Sequence, residues 1–278
     1  MNLVVQGAPL SADALAELAR LVRAGEVLAL DARAWRLSNV SESIEVGPWC
    51  AARRIDFAWV PDARRLADLR LVAMDMDSTL VTVESIDEMG GVLDIRDRIS
   101  AITGQAMRGE IDYPESLRRR VALLAGLEEI ALERICEERM HLSPGADVLV
   151  RRCRELGIGT LLVSGGFSFF TAWLQQRLGI DAVLSNELEI ERGRLTGRVL
   201  GAIVDGAAKA AKLRSEIERL GITPGQAVAI GDGANDIPMM ATAGISVAYR
   251  AKPIVREHAT HALDHTGLDG VLNLFVQA

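Results

Sequence analysis

Two aspartates at the end of a short apolar run are the most informative chemical feature of the sequence. Residues 71–80 read Leu-Val-Ala-Met-Asp-Met-Asp-Ser-Thr-Leu, and such a run predicts a buried parallel strand that ends at Asp75 and Asp77. At a strand end, one carboxylate can attack as a nucleophile while the other transfers protons, with a divalent cation offsetting their charge. The pattern therefore indicates covalent phosphoryl chemistry. Plain turn chemistry stays open as the alternative, because Asp-x-Asp-Ser-Thr also suits a turn.

Two later segments repeat this organisation of an apolar run followed by small or acidic residues. Residues 159–167 read Gly-Thr-Leu-Leu-Val-Ser-Gly-Gly-Phe, and a hydroxyl with bare backbone amides at such a turn can bind phosphate oxygens. Residues 227–236 end in Gly-Asp-Gly-Ala-Asn-Asp, where Asp232 and Asp236 offer hard oxygen ligands for a cation. Each segment taken alone is also compatible with an ordinary strand and turn.

A helical pattern from residue 207 to about residue 220 carries Lys209 and Lys212 near its start. A lysine there is unfavourably placed against the helix dipole, so a compensating anion would explain it. The two lysines are also spaced as ordinary neighbours on a solvated helix face. The residues themselves leave both interpretations open.

The order of these four segments, Asp-x-Asp-Ser-Thr, Ser-Gly-Gly, Lys and Gly-Asp-Gly-x-Asn-Asp, resembles the four motifs of the haloacid dehalogenase superfamily over residues 70–278. Residues 75–84, the Ser-Leu-Arg-Arg-Arg-Val run at 116–121 and residues 164–167 are similar in particular to members that hydrolyse phosphoserine. The resemblance implies magnesium-dependent hydrolysis of O-phospho-L-serine to L-serine and phosphate through an aspartyl-phosphate, the last step of serine biosynthesis. Phosphotransfer to another alcohol, such as homoserine, and a non-catalytic amino-acid sensor are the alternatives.

The resemblance also implies a role for each motif residue. Asp75 would be the nucleophile, and Asp77 would protonate the departing serine oxygen and then activate water. Mg²⁺ would lie between the Asp75 carboxylate, the Asp77 backbone carbonyl and Asp232. Asp236 would support Lys209 or the metal's waters, and Lys212 would have no such role. The phosphoryl group would be held by Ser164, the Gly165 amide and the catalytic Lys209. Asn235 would lie near the substrate.

Substrate selection would come from the insert at residues 83–145, which the family uses as a helical cap. There Glu84 and Arg120 match the contacts to the substrate ammonium and carboxylate, as suits an acid and a guanidinium fork. The alternative for Arg120 is a solvated helix face, because it belongs to a run of three arginines at 118–120. Tyr113 occupies a position where the family often has Phe.

The expected fold class is α/β: a three-layer Rossmann-like haloacid dehalogenase core, a helical cap insert and a small N-terminal α+β domain of ACT-like type. The expected domains are residues 1–65, a core of 70–82 with 146–278, and the cap at 83–145. In the N-terminal part, Ser11 would cap a helix that extends to about residue 24 and is ended by Gly25. The core strands are expected near 70–76, 159–164, 181–185, 227–231 and 244–248, with a small hairpin near 187–200.

Composition supports a cytoplasmic enzyme with a small-molecule substrate. The chain has 278 residues, of which 49% are hydrophobic, and its net charge of −7 argues against nucleic acid as a partner. Cys50, Cys136 and Cys153 lack metal or disulfide spacing and predict free thiols in a reducing compartment. No leader or membrane span is expected, and a homodimer is a further expectation. The histidines at 258, 261 and 265 lie around an extended segment that would scatter them, so we do not expect a metal site there.

Overall fold

The structure, a computed structural model, describes residues 1–276. Its first sixty residues form a four-stranded antiparallel sheet with two helices. The elements follow in the order β1 (Asn2–Gln6), α1 (Ala12–Leu21), β2 (Glu26–Asp31), β3 (Ala34–Ser38), α2 (Val46–Arg53) and β4 (Asp56–Val60). The strand order in the sheet is β2-β3-β1-β4, which agrees with the expected ACT-like α+β fold.

The first helix begins as the sequence predicts but ends earlier. The Ser11 hydroxyl accepts a hydrogen bond from the Ala14 amide at 3.2 Å and caps α1. The expected end at Gly25 is wrong, because α1 ends at Leu21 and Arg23 adopts a left-handed conformation with φ 53°. The Gly25 amide instead donates a hydrogen bond to the Ser38 carbonyl at the end of β3. Gly25 therefore lies directly before β2 and contacts the sheet.

The chain then enters β5 (Leu71–Met74), makes a tight turn over Met76–Leu80, and forms four helices before it returns to the larger sheet. These helices lie inside the segment expected to be the cap: α3 (Ser85–Val92), α4 (Arg96–Met107), α5 (Tyr113–Ala122) and α6 (Glu129–Glu138). Asp112 caps α5 by accepting from the Glu115 amide, and a proline follows in the first turn.

The remaining elements complete a three-layer α/β core. They are α7 (Ala146–Glu155), β6 (Gly159–Phe167), α8 (Ser168–Leu178), β7 (Ala182–Glu191), β8 (Arg194–Leu200), α9 (Gly206–Leu220), β9 (Ala227–Gly231), α10 (Ile237–Met240), β10 (Ile245–Tyr249), α11 (Pro253–His258) and β11 (His261–Leu263). The seven strands are ordered β11-β10-β9-β5-β6-β7-β8, and only the β7–β8 pair is antiparallel. The expected three-layer fold class is confirmed.

The central strands are apolar throughout because both faces of the sheet are covered. Ala73 packs on the side of α9 and α10, with Leu213 and Met239 in the same cluster. Val72 and Met74 belong to the other cluster, on the side of α7 and α8. This two-sided burial explains why the strand runs in the sequence show no alternation of polar and apolar residues.

The hairpin expected near 187–200 is present and extends the main sheet at its edge. The strand β7 continues to Glu191, and β8 pairs back onto it. Leu188 and Leu195 are buried in the core, and the Leu195 backbone exchanges hydrogen bonds with Gly126 and Leu127 of the cap segment. The hairpin therefore contacts the cap segment through backbone hydrogen bonds.

The N-terminal sheet is joined to the C-terminal segment by buried polar contacts. The Asp56 carboxylate accepts hydrogen bonds from three successive backbone amides, at positions 264, 265 and 266, at 2.8 to 3.0 Å. The Arg36 guanidinium donates to the carbonyls of Asn273 and Phe275 at 2.9 and 2.6 Å. Val4 and Val60 share one hydrophobic cluster with Phe275. The two parts thus pack through a continuous apolar and polar interface.

The three cysteines are buried free thiols, as the sequence predicts. Burial raises the pKa of the thiol to about 12 at each of them. Within residues 1–276, no helix combines the length and hydropathy that crossing a bilayer requires.

Candidate active site

The nucleophile candidate Asp75 lies where the central strand β5 ends. It is 5% exposed, its amide donates to the Ile230 carbonyl of the neighbouring strand, and its Oδ1 accepts from the Met76 amide at 2.8 Å. The register of β5 with β6 and β9 aligns Met74 with Leu162 and Ile230. Parallel pairing therefore brings the loops after all three strands to the same edge of the sheet.

Asp77 lies in the turn that follows, and both of its carboxylate oxygens are engaged. Oδ1 accepts from the Ser85 amide at 3.1 Å and Oδ2 from the Ser85 hydroxyl at 2.9 Å. The turn is made possible by Ser78, which has a left-handed φ of 54°. Burial and the nearby Glu84 carboxylate raise the pKa of Asp77 to about 7. A carboxyl group with this pKa can hold and release a proton near neutrality.

Lys209 is completely buried and bridges two acids. Its Nζ donates to Asp75 Oδ1 and to Asp236 Oδ1, at 2.7 Å each. Burial by itself would lower the pKa of Lys209, but the Asp236 and Asp75 carboxylates outweigh it and raise the pKa above its usual value. The solvated-face alternative is wrong for Lys209. Lys212 is partly exposed and pairs with the buried Glu216 one turn further along α9.

Three carboxylates meet beside Lys209. One oxygen from each of Asp75, Asp232 and Asp236 lies within 4.8 Å of the others. Burial, Asp236 and Glu84 raise the pKa of Asp232 to about 6, and burial together with Asp236 raises the pKa of Asp75 well above its usual range. Hard oxygen ligands that repel one another in a buried site fit a divalent cation such as Mg²⁺.

The carboxylate cluster contains Asp236 in addition to the expected carboxylate ligands Asp75 and Asp232. The Asp77 side chain contacts Ser85, which is compatible with the expected metal contact through the Asp77 backbone carbonyl. Asp236 lies close because Gly231 has no side chain: a Cβ there would approach the Asp236 carboxylate to 2.5 Å. Thr79 was missed by the sequence interpretation, and its hydroxyl donates to Asp232 Oδ1 at 3.2 Å.

The last, irregularly paired part of β6 places small residues against the same site. Ser164 is fully buried, and its Oγ accepts from the Gly166 amide at 2.8 Å. The Gly165 carbonyl accepts from the Asn186 side chain at 2.8 Å and from the Tyr113 hydroxyl at 3.2 Å. Gly166 allows close approach, since a Cβ there would lie 3.0 Å from Asp77 Oδ2.

The cap closes a cavity of about 490 Å³ over these groups. Arg120 is partly buried in its wall, whereas Arg118 and Arg119 are exposed. Glu84 also lines the cavity, and its Oε1 accepts from the Ser78 hydroxyl at 2.8 Å. The cavity lining includes most of the predicted site: Asp75, Asp77, Glu84, Arg120, Gly165, Asp232 and Asn235. Ser164 and Lys209 are both fully buried.

Several residues of the site carried no signal in the sequence. Ser85 and Asn186 contact the predicted residues only after folding. Lys252 lines the cavity, and its amide donates to the Asp232 carbonyl at 3.2 Å. Two of the C-terminal histidines contact other protein groups: the His261 ring is 2.6 Å from Arg64, and the His258 ring is 2.8 Å from the Ile254 carbonyl of its own helix.

A parallel α/β sheet with an aspartate at the end of its central strand, a buried lysine and a helical cap defines the class of protein. A family model described as haloacid dehalogenase-like hydrolase matches residues 72–241, more than half of the chain. The chain belongs to this family and is an enzyme of it. A second model, described as a domain of unknown function, matches residues 3–44.

The curated relatives name a particular activity. The chain is 52% identical over 216 residues to a protein named phosphoserine phosphatase from Albidiferax ferrireducens. The matched region covers 76% of this chain and 91% of that protein. A protein of the same name from Polaromonas sp. is 50% identical over 219 residues, with 77% of this chain and 92% of that protein covered. The relatives therefore point to phosphomonoester hydrolysis.

Solved structures extend the likeness to the whole chain. A haloacid dehalogenase family hydrolase from Salmonella enterica has a TM-score of 0.87 and 30% identity, with 99% of this chain and 98% of that chain covered. The unliganded form of a probable phosphoserine phosphatase from Vibrio cholerae has a TM-score of 0.86 and 32% identity, covering 98% and 85%. A structure described as a phospho-aspartyl intermediate analogue of phosphoserine phosphatase has a TM-score of 0.70 and 34% identity, covering 75% and 99%.

Proposed function

We propose that this enzyme hydrolyses O-phospho-L-serine to L-serine and phosphate through an aspartyl-phosphate on Asp75, with Mg²⁺ as cofactor. The observation that carries the proposal is the position of Asp75, held by Lys209 at 2.7 Å at the edge of a capped cavity that also contains Glu84 and Arg120. The names of the relatives support the substrate.

The first half-reaction transfers the phosphoryl group to the enzyme. Lys209 and the Met76 amide hold Asp75 Oδ1, and this orients Oδ2 for attack. The Oδ2–P bond forms as the bond from phosphorus to the serine oxygen breaks. Asp77 gives its proton to that serine oxygen, because an alkoxide is a poor leaving group.

The second half-reaction restores Asp75. Asp77, now ionised, takes a proton from a water molecule that attacks phosphorus, and the Asp75–phosphorus bond breaks. The Asp75 carboxylate, the Asp77 backbone carbonyl and Asp232 would hold Mg²⁺. When bound there, the cation supplies positive charge against the phosphoryl oxygens and the clustered carboxylates. The ammonium group of Lys209 supplies further positive charge at Asp75.

The chain's own residues also account for substrate selection. We assign the phosphoryl oxygens to Ser164, the Gly165 amide and Lys209, and we place Asn235 beside the substrate. A guanidinium binds a carboxylate through two parallel hydrogen bonds, so Arg120 suits the serine carboxylate. Glu84 suits the serine ammonium, because it is an exposed acid that lines the cavity and an acid is the natural partner of an ammonium group.

The wider organisation of the molecule is part of the same proposal. We propose domains at residues 1–65, at 70–82 with 146–278, and at 83–145, with the first as a regulatory or dimerisation domain. The separate N-terminal sheet and the four cap helices support this division. We also propose that the enzyme acts in the cytoplasm in serine biosynthesis and forms a homodimer.

The test is phosphate release from a panel of phosphorylated amino acids and sugars. Phosphoserine should be the preferred substrate, activity should disappear with a chelator and return with Mg²⁺, and Asp75→Asn should abolish turnover, because an amide cannot form the covalent intermediate. A stronger preference for another phosphomonoester would contradict the substrate assignment. If added alcohols such as homoserine became phosphorylated, the enzyme would be a phosphotransferase. Residual turnover above a few per cent in Asp75→Asn would contradict the nucleophile assignment.

A further inference from the structure

The peptide unit between Gly165 and Gly166 is held from two sides and itself holds Ser164. Its carbonyl oxygen accepts from Asn186 Nδ2 at 2.8 Å and from the Tyr113 hydroxyl at 3.2 Å. Its N–H donates to Ser164 Oγ at 2.8 Å. A peptide unit is planar, so a rotation that breaks the carbonyl contacts also turns the N–H away from Ser164.

Asn186 is a rigid support from the sheet. It lies on β7 and is 1% exposed. Its Oδ1 accepts from the Val204 amide at 2.8 Å while its Nδ2 donates to Gly165, so each end of the side-chain amide has a partner of the correct polarity. A buried amide with both ends paired cannot rotate without losing hydrogen bonds.

Tyr113 is the matching support from the cap. It is the first residue of α5 and lines the cavity, and its hydroxyl connects the cap to Gly165 near the end of β6. Burial raises the pKa of Tyr113 to about 12, so the phenol stays a hydrogen-bond donor across the working pH range. The contact also requires a glycine, because a Cβ at position 165 would lie 2.3 Å from the tyrosine hydroxyl oxygen.

We propose that Tyr113 and Asn186 are positioning residues, which orient the Ser164 hydroxyl for the phosphoryl group through the Gly165–Gly166 peptide. Because the Gly166 N–H occupies a lone pair of Ser164 Oγ, the hydroxyl proton is left to donate to a phosphoryl oxygen. Hydrogen bonds to a carbonyl polarise its peptide and strengthen the hydrogen bond made by the N–H. The cap thereby acts on phosphate binding through Tyr113, and this inference rests on the proposed role of Ser164.

The experiment measures binding of inorganic phosphate to the magnesium-saturated enzyme by titration calorimetry, so it requires no turnover. Tyr113→Phe removes one hydroxyl, and Asn186→Leu removes the amide at similar volume. Each removes one neutral hydrogen bond to the Gly165 carbonyl and should therefore raise the Kd of phosphate by about threefold to tenfold. In an enzyme that already carries Ser164→Ala, each change should alter the Kd by less than about twofold, because the group that they orient is gone.

The double variants separate positioning from a general effect on the fold. If Tyr113→Phe raised the Kd by the same factor in the presence and in the absence of Ser164, the Tyr113 hydroxyl would act on the cap alone. That result would overturn the proposal. An unchanged Kd in Tyr113→Phe would overturn it as well, and this variant decides the question if Asn186→Leu fails to fold. Tyr249→Phe, the other tyrosine of the chain, lies outside the cavity lining and should leave the Kd unchanged. The substrate panel tests the proposed function separately, since phosphate binding does not depend on which ester is cleaved.

Discussion

Both carboxylate oxygens of Asp77 accept hydrogen bonds from Ser85, Oδ1 from its amide at 3.1 Å and Oδ2 from its hydroxyl at 2.9 Å. Ser85 is the first residue of α3, the first cap helix, and is fully buried. The residue proposed to transfer protons is therefore connected to the base of the cap. Its carboxylate also satisfies an amide in the first turn of that helix, as a capping side chain does.

Replacement of Ser85 by alanine tests this connection. Asp77 would keep the amide contact and lose the hydroxyl, so we expect kcat on phosphoserine to fall by about threefold to tenfold. Ser85→Thr should restore most of the rate because it retains the hydroxyl. The loss should be smaller on p-nitrophenyl phosphate, whose leaving group needs no proton. Steady-state kinetics on both substrates provide the measurement, and equal losses would mean that Ser85 only supports the fold.

The Asp77→Asn variant separates the two proton transfers. Cleavage of phosphoserine should fall by about 100- to 10,000-fold, the usual cost of losing a needed general acid. With p-nitrophenyl phosphate the first step should survive while water attack stays slow, so stopped-flow should show a nitrophenolate burst near one per active site. The intermediate should then be trappable by acid quench. If no burst appears and both substrates lose the same factor, the acid–base assignment is wrong.

The Arg120→Ala variant tests recognition of the serine carboxylate. We expect a loss of about 2 to 5 kcal/mol in kcat/KM on phosphoserine, as for a lost charge-assisted contact. The loss on p-nitrophenyl phosphate, which has no carboxylate, should be far smaller. Arg119→Ala is the matched control, because Arg119 is exposed and pairs with Glu115 on the outer face of α5. Equal losses on both substrates would assign Arg120 to cap stability.

The Asp56→Ala variant tests the interface between the N-terminal sheet and the C-terminal segment. Three part-buried backbone amides would lose a charged acceptor, so the free energy of unfolding should fall by about 2 to 4 kcal/mol. Urea denaturation measures this loss. The exposed Glu42→Ala is the control and should change the stability by less than about 0.5 kcal/mol. A stable Asp56→Ala variant would show that the apolar part of the interface is sufficient.

We expect His261 to contribute to the pH dependence of the free energy of unfolding. Burial and Arg64 lower its pKa from 6.5 to about 4. Below pH 6.5 the unfolded chain therefore binds a proton that the native state does not, and stability falls as the pH drops toward 4. This loss in the free energy of unfolding should amount to about 1 to 3 kcal/mol, and it should be absent in His261→Gln. Denaturation of both proteins at pH 7.5 and pH 5 measures it, and parallel losses would remove His261 as the cause.

Much of the site could be predicted from the sequence because its residues follow strands. Asp75, Ser164 and Asp232 each come at or just after an apolar run, and the carboxyl ends of parallel strands meet at one edge of the sheet. Helix caps such as Ser11 could also be predicted from the sequence, since the capping contact spans only three residues. Helix α2 was missed. Its segment contains glycine and proline and is a poor helix former by itself, but Val46, Trp49 and Cys50 gain burial in the N-terminal core.

The sequence by itself determined where the core strands lie along the chain, which residues stand at their ends and hence the family of chemistry. The residues alone left Lys209 and Lys212 open and the family resemblance favoured Lys209, but the tertiary structure is what brings Lys209 to Asp75, a contact across 134 residues. It also decided the contacts of Ser85 with Asp77, of Tyr113 with Gly165 and of Asp56 with the amides at 264–266. The physical reason is that strand periodicity and capping are local, whereas these contacts depend on how the cap and the N-terminal sheet pack onto the core. That packing is set by burial and not by spacing in the sequence.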